Sequence, residues 1–271
     1  MSTHDCETCP VAAELAPLGV QTTGVDRVIA LAGNPNTGKS TLFNALTGLR
    51  QHTGNWPGKT VTRAEGGFSY DNVRYKIVDL PGTYSLLSAS QDEEVARDFI
   101  LFGQPDAVVV VTDASALERN LNLALQVLEI TDRVVVAVNL MDEARRKGLD
   151  VYTRSLARDL GVPVIPIVAR TGEGLHALLT AIDGVSGGAI VTTPLRVIGT
   201  PEFEHAVSEL MAQVEAAAPG IPNSRWLAIR LLDGDARVED ALRTGELARL
   251  VSRQQQRDAR FSRQIALQGA Q

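Results

Sequence analysis

The run GNPNTGKS, residues 33–40, follows an apolar stretch at 28–32 and precedes a segment, 38–47, with Leu42, Phe43 and Leu46 at helical spacing. A strand, a loop of the form G-x-x-x-x-G-K-[ST] and a helix, in that order, commit the chain to a layered α/β architecture with a phosphate cradle. Glycine lets backbone N–H groups wrap closely around a polyphosphate, and the helix N-terminus adds its positive dipole end. Gly33, Asn34, Pro35, Asn36, Thr37, Gly38, Lys39, Ser40 and Thr41 are therefore the expected cradle. Lys39 reaches the β- and γ-phosphates, and the Ser40 hydroxyl is the expected Mg²⁺ ligand.

A second element, DLPG at 79–82, follows a strand-like stretch, Lys76–Val78. Asp79 at a strand end is placed to hold Mg²⁺ through water, and the Gly82 N–H to reach a γ-phosphate. Asp followed by Pro-Gly also makes an ordinary turn. The position about 40 residues after a phosphate loop favours the functional reading.

The base is read further along. Residues 134–138 end in Asn139-Leu140-Met141-Asp142. A carboxylate at Asp142 accepts two hydrogen bonds from guanine, from N1–H and the 2-amino group. Adenine lacks that pair of donors, and a site built on such bonds discriminates by factors on the order of 10⁴. Asn139 braces the site. Asp142 also suits the N-cap of a helix starting at Glu143, and the two roles are compatible. A further strand ends at Val168-Ala169-Arg170. There the Ala169 N–H is expected to donate to guanine O6.

Between these pieces the chain alternates. Residues 50–59 read as a loop, 60–70 and 73–78 as two strands turning at Asp71-Asn72, and 85–102 as a loop entering a helix. Of the strand-like runs at 107–111, 134–138 and 162–168, two are nearly all Val, as expected of parallel strands buried on both faces. Helical segments at 117–130, 152–160 and 175–183 supply the crossovers. The pattern changes at the glycine-rich 184–188, and later segments (202–218, 225–233, 238–261) read as helices. The expected organisation is a lead-in at 1–26, a nucleotide-binding domain at 27–188 and a small helical domain at 189–271.

The net charge of −6 argues against binding a nucleic-acid backbone as the main task. No apolar run is long enough to suggest a membrane helix, and the first residues lack the features of a signal peptide. The expectation is a soluble intracellular chain. Cys6 and Cys9, near His4, are too few ligands for a zinc site and read as a tail without an essential role.

With these pieces in place the chain resembles a translation-factor-class G protein and, more closely, the cytoplasmic N-terminal region of the bacterial ferrous iron transporter B family (FeoB). The resemblance rests on GNPNTGKSTLFNALTG at 33–48, GNWPGKTV at 54–61, DLPGTYSL at 79–86 and NLMDEARRKG at 139–148. It covers nearly everything from about residue 27. It implies a switch that hydrolyses GTP to GDP, and a helical domain favouring GDP binding. It also implies a membrane-embedded iron-permease domain that is not part of this chain, with the region read here on the cytoplasmic side of a bacterial inner membrane. Small accessory proteins and oligomers are further implied partners.

Carried over by resemblance, Thr60 is the switch I threonine that ligates Mg²⁺ when GTP is bound. Asn36 is a candidate K⁺ ligand, with backbone oxygens from the loop containing Gly54 and Trp56. A potassium ion there would neutralise charge building up in the transition state; the alternative is that Asn36 only braces the loop by hydrogen bonds. Three positions depart from common G-protein patterns. Leu140 stands in place of lysine, Val168 in place of serine or threonine, and Thr83 in place of a water-orienting glutamine, which implies slow hydrolysis. Lys39, Asn36 and Gly82 are the candidate catalytic residues. The rival readings are a ribosome- or RNA-associated assembly GTPase and a nucleotide-binding module that does not hydrolyse. Trp56 is open between mobile switch residue and apolar anchor, and Lys59 between solvated charge and phosphate contact. His52, His176 and His205 read as surface groups, and Asp92-Glu93-Glu94 as an acidic helix start.

Overall fold

The computed structural model describes residues 24–247 except 49, 50, 88, 89 and 222, together with Leu18, Val20 and Val251. Cys6, Cys9 and His4 lie outside the described residues, as does most of the last expected helical stretch. Two compact units divide the chain: residues 1–128 with 132–195, and residues 129–131 with 196–271.

The first unit is built on a seven-stranded sheet of order β2-β3-β4-β1-β5-β6-β7. Its strands are β1 (Arg27–Gly33), β2 (Gln51–Asn55), β3 (Thr62–Tyr70), β4 (Val73–Asp79), β5 (Ala107–Asp113), β6 (Val134–Asn139) and β7 (Val164–Pro166). The five strands from β4 to β7 run parallel, while β2 and β3 pair antiparallel at one edge. β1 and β6 are buried along their whole length, as strands covered on both faces should be. β3 and β4 form a hairpin whose turn residues, Asp71 and Asn72, both take positive φ, 48° and 62°. That geometry matches the twist of the flanking strands, and short polar side chains tolerate it.

Gln51–Asn55 is a strand rather than the expected loop. Its backbone pairs residue for residue with β3. The Gly, Asn and polar composition that suggested a loop also suits an exposed edge, where no side chain must enter a core.

Helices cover both sides of the sheet: α1 (Lys39–Thr47), α2 (Gln91–Gly103), α3 (Leu117–Ile130), α4 (Met141–Arg146), α5 (Thr153–Leu160) and α6 (Leu175–Ser186). Leu42 and Phe43 of α1 and Leu178, Ile182 and Val185 of α6 share one core with Ile29, Leu31, Ile77, Val109 and Val135 of the sheet. A buried cluster ties α6 to two strands. The Arg27 guanidinium donates to Asp183 Oδ1 at 2.7 Å, to the Tyr75 hydroxyl and to Ser186 Oγ at 3.1 Å. Burial and the neighbouring Asp183 carboxylate push the Tyr75 phenol well above its ordinary range.

The second unit contains α7 (Pro201–Ala217), α8 (Ser224–Leu232) and α9 (Ala236–Arg243). Thr200 caps α7 by accepting from Phe203 N at 3.3 Å, and Pro201 fills the first turn, where its missing N–H costs nothing. Among the described residues no helix is long and apolar enough to cross a membrane.

Candidate nucleotide-binding site

β1 pairs with β4 on one side and β5 on the other, so its C-terminal end opens where successive connections leave in opposite directions. Open α/β sheets bind ligands at such a point. Gly33 ends β1, Asp79 ends β4, Asn139 ends β6, and residues 168–170 follow β7. All four expected pieces therefore meet at one edge of the sheet.

The phosphate loop needs glycine at two places for distinct reasons. A Cβ on Gly33 would lie 2.6 Å from the Val111 carbonyl oxygen. Gly38 has φ +78° as the residue before α1, and a Cβ there would lie 2.4 Å from Asn139 Nδ2. Asn36 is exposed with φ +67°, which asparagine tolerates better than most residues. Thr37 is buried, and its hydroxyl donates to the Asn34 carbonyl at 2.9 Å. The Asn34 side chain is 2% exposed and has no protein partner for its amide nitrogen or oxygen.

The phosphate-side charges meet directly. Lys39 Nζ pairs with Asp79 and donates to the Leu80 carbonyl at 2.6 Å. Burial raises the Asp79 pKa, and the Lys39 charge opposes that shift. A Cβ on Gly82 would lie 3.5 Å from Pro35, so the DLPG turn lies against the phosphate loop. Thr83 N donates to the Gly33 carbonyl at 3.3 Å, while its hydroxyl donates to the Ser85 carbonyl at 2.7 Å. The Thr83 hydroxyl is thus engaged with its own loop.

On the base side a cavity of about 200 Å³ is bounded by Gly38 and Thr41, by Asn139, Leu140 and Asp142, and by Val168, Ala169 and Arg170, with Glu143 and Arg146 at its margin. Asn139 is its brace, as expected. Its amide donates to the Thr37 carbonyl and its oxygen accepts from Ala169 N, both at 2.9 Å. That second bond engages the Ala169 N–H, the group expected to donate to guanine O6, with the acceptor fixed beside it. The expected capping role of Asp142 is also corrected. The N-cap is Leu140, at φ +61°, whose carbonyl accepts from Glu143 N and Ala144 N. Asp142 lies within the first turn of α4, and its carboxylate meets Arg170 at 3.1 Å and Arg146 at 3.8 Å. Val168 makes a small turn of its own, pairing with Glu173 and accepting from Thr171 N and Gly172 N.

The switch I residues are less assembled. Gly54 lies in β2 opposite Arg63. Trp56 is a buried anchor: its ring meets Phe99 edge-on at 5.4 Å, the Arg63 guanidinium lies 5.4 Å from its centroid, and its carbonyl accepts from Lys59 N. Thr60 is exposed, and its hydroxyl donates to Gln91 Oε1 at 3.2 Å. No hydrogen bond joins it to Ser40 or Asp79 among the described residues. His52 is exposed on β2, His176 meets the Tyr70 ring at 6.0 Å, and His205 pairs with Glu209 at 3.3 Å. No cluster of three or more His, Cys, Asp or Glu side chains that could hold a metal ion occurs among the described residues. Sequence reasoning missed the Arg170–Asp142 pair, since nothing in either motif signals that the loop after β7 folds back over α4.

The comparison with known families favours the iron-transporter family over a ribosome- or RNA-associated one. The family described as Ferrous iron transport protein B matches residues 27–182, and the FeoB cytosolic helical domain matches residues 200–266. The chain belongs to the FeoB family. Curated Fe(2+) transporter FeoB proteins from Shigella flexneri and Escherichia coli K12 are each 42% identical over 217 residues, covering 76% of this chain and 27% of theirs. The chain thus spans about a quarter of the length of those FeoB proteins. Among solved structures, the cytosolic domain of L. pneumophila FeoB is 38% identical with TM-score 0.72, covering 82% of this chain and 88% of that one. The apo cytosolic domain of T. maritima FeoB is 32% identical with TM-score 0.73, covering 88% and 98%. A mutant of S. thermophilus NFeoB solved with GDP bound is 32% identical with TM-score 0.73, covering 88% and 91%. The FeoB fold, a G domain with a helical domain, agrees with the sheet and helices described above.

Proposed function

We propose that this chain is the guanine-nucleotide switch of a ferrous iron transporter, hydrolysing GTP to GDP to regulate iron passage through the membrane part of a longer protein. The observation that carries this reading is the bridge made by Asn139, which fixes the phosphate loop at Thr37 and the base-side loop at Ala169 around the cavity holding Asp142. Phosphate and base subsites are thereby held at one spacing, which suits a single nucleotide.

The donors fit a magnesium ion: Ser40 offers a hydroxyl and Asp79 a carboxylate, the hard oxygen ligands Mg²⁺ prefers. Bound there, Mg²⁺ would neutralise phosphate charge. Lys39 exchanges Asp79 for phosphate oxygens, the amides of the 33–40 loop cradle them, and the Gly82 N–H faces the γ-phosphate. Thr60, once released from Gln91, would offer a further oxygen donor for the magnesium ion. The exposed Asn36 amide, without a hydrogen bond among the described residues, suits a monovalent cation such as K⁺. Thr83 offers no free group to orient water, so turnover is slow.

The test is GTP turnover with Mg²⁺ in matched potassium and sodium buffers, with ATP as control. Faster turnover in potassium, lost in Asn36→Ala with GDP binding retained, supports the full reading. Equal rates in both salts remove the potassium role, and ATP turnover equal to that of GTP overturns the assignment of Asp142.

A further inference from the structure

Lys59 immediately precedes Thr60, and its ammonium pairs with the Glu94 carboxylate in the first turns of α2. Two further contacts reach the same helix: the Thr60 hydroxyl on Gln91 and the Trp56 ring on Phe99. Between them the chain makes a tight turn. Lys59 N donates to the Trp56 carbonyl at 3.0 Å, and Gly58 takes φ +67°. Pro followed by glycine at positive φ is the type II arrangement, so the loop is stiff between its two ends. A segment of five residues is thus fastened to one helix at three points. The other oxygen donors expected around magnesium are engaged elsewhere, Asp79 with Lys39 and Thr60 with Gln91. For a cation shared with Ser40 and Asp79, Thr60 must turn away from α2.

We propose that Lys59 is a positioning residue for switch I: its pair with Glu94 is a clasp that holds Thr60 against α2 and so favours GDP over GTP. The inference rests on the Mg²⁺–GTP reading above. A triphosphate complex draws on Thr60 and must strain or open the clasp, whereas a diphosphate complex leaves it closed. A ligand shifts such an equilibrium only through its differential affinity for the two arrangements. The Lys59 and Glu94 side chains are 30% and 34% exposed, so solvent screens the pair and its effect is modest.

The experiment is equilibrium titration of the protein with GDP and with a non-hydrolysable GTP analogue, in the presence of Mg²⁺. Lys59→Met and Glu94→Gln should each raise affinity for the analogue relative to GDP by about two- to fivefold. The exchange Lys59→Glu with Glu94→Lys should return the ratio toward the original, and high salt should shrink the single-variant effects. General loosening of the fold would move both affinities together and leave the ratio alone. An unchanged ratio, a shift toward GDP or failure of the exchanged pair to restore it would overturn the clasp while leaving the nucleotide site intact. Original protein that bound neither nucleotide would overturn the site reading itself.

Discussion

The Asn139 side-chain amide donates to the carbonyl of Thr37 at 2.9 Å, joining the end of β6 to a loop 102 positions earlier. The same side chain accepts from Ala169 N, so one buried residue, 1% exposed, sets the spacing of three loops. Asn139→Ala removes both bonds and leaves two buried backbone groups unpaired, at a cost of about 1–3 kcal/mol each. Calorimetric titration should show GDP affinity reduced at least about tenfold, with a lower Tm. Unchanged GDP affinity would mean that the bridge does not position the site.

In the proposed reading, base choice depends on Asp142. An amide at this position presents an N–H where guanine's 2-amino group needs an acceptor, but xanthine carries a carbonyl there. Asp142→Asn should therefore weaken GTP by a factor of about 10² or more and improve XTP binding. Competition between the two nucleotides checks the exchange, and equal losses for both would place the base elsewhere.

Gly38→Ala should damage the site more than a typical surface substitution. Its backbone is left-handed, which costs a non-glycine residue about 1–2 kcal/mol, and the added methyl would meet Asn139 Nδ2 at 2.4 Å. Thermal melting should show a lower Tm, and titration should show GDP affinity lost disproportionately to the loss of stability.

In the helical unit, Arg225 grips Glu204 with two parallel hydrogen bonds, of 2.5 and 2.9 Å. The Arg225 guanidinium first, and then the Gly199 N–H, hold the Glu204 carboxyl below its ordinary value of 4.5. A group whose folded-state pKa is lowered contributes stability above the unfolded value and loses it as pH falls through the folded value. Melting curves should therefore show the unaltered protein losing Tm below about pH 4.5 more steeply than Glu204→Gln does. Parallel pH profiles for the two would remove this pair from the acid response.

The alternating strands and helices, the phosphate loop, DLPG and the 139–142 segment follow from local pattern, because each depends on residues adjacent in sequence. The Val-rich runs became the buried strands β5 and β6, and the segment 117–130 became α3, for the same reason. β2 escaped because an edge strand with exposed side chains leaves no hydrophobic period; only its pairing with β3 defines it. The capping role expected of Asp142 failed because the helix begins earlier, at Met141, and the engagement of the Ala169 N–H was not legible because its acceptor lies 30 positions away. Leu140 takes the cap and Asn139 takes the N–H. The Lys59–Glu94 pair has no local signature, since it spans 35 positions.

The sequence by itself determined the chemistry offered: which residues carry phosphate-binding amides, a lysine, a hydroxyl, two carboxylates and an asparagine, and in what order. Tertiary structure decided which of those groups meet. Lys39 faces Asp79, Trp56 is an anchor, and Thr60 is held by α2 because hydrogen bonds and ion pairs act over a few ångströms in space, whatever their separation along the chain.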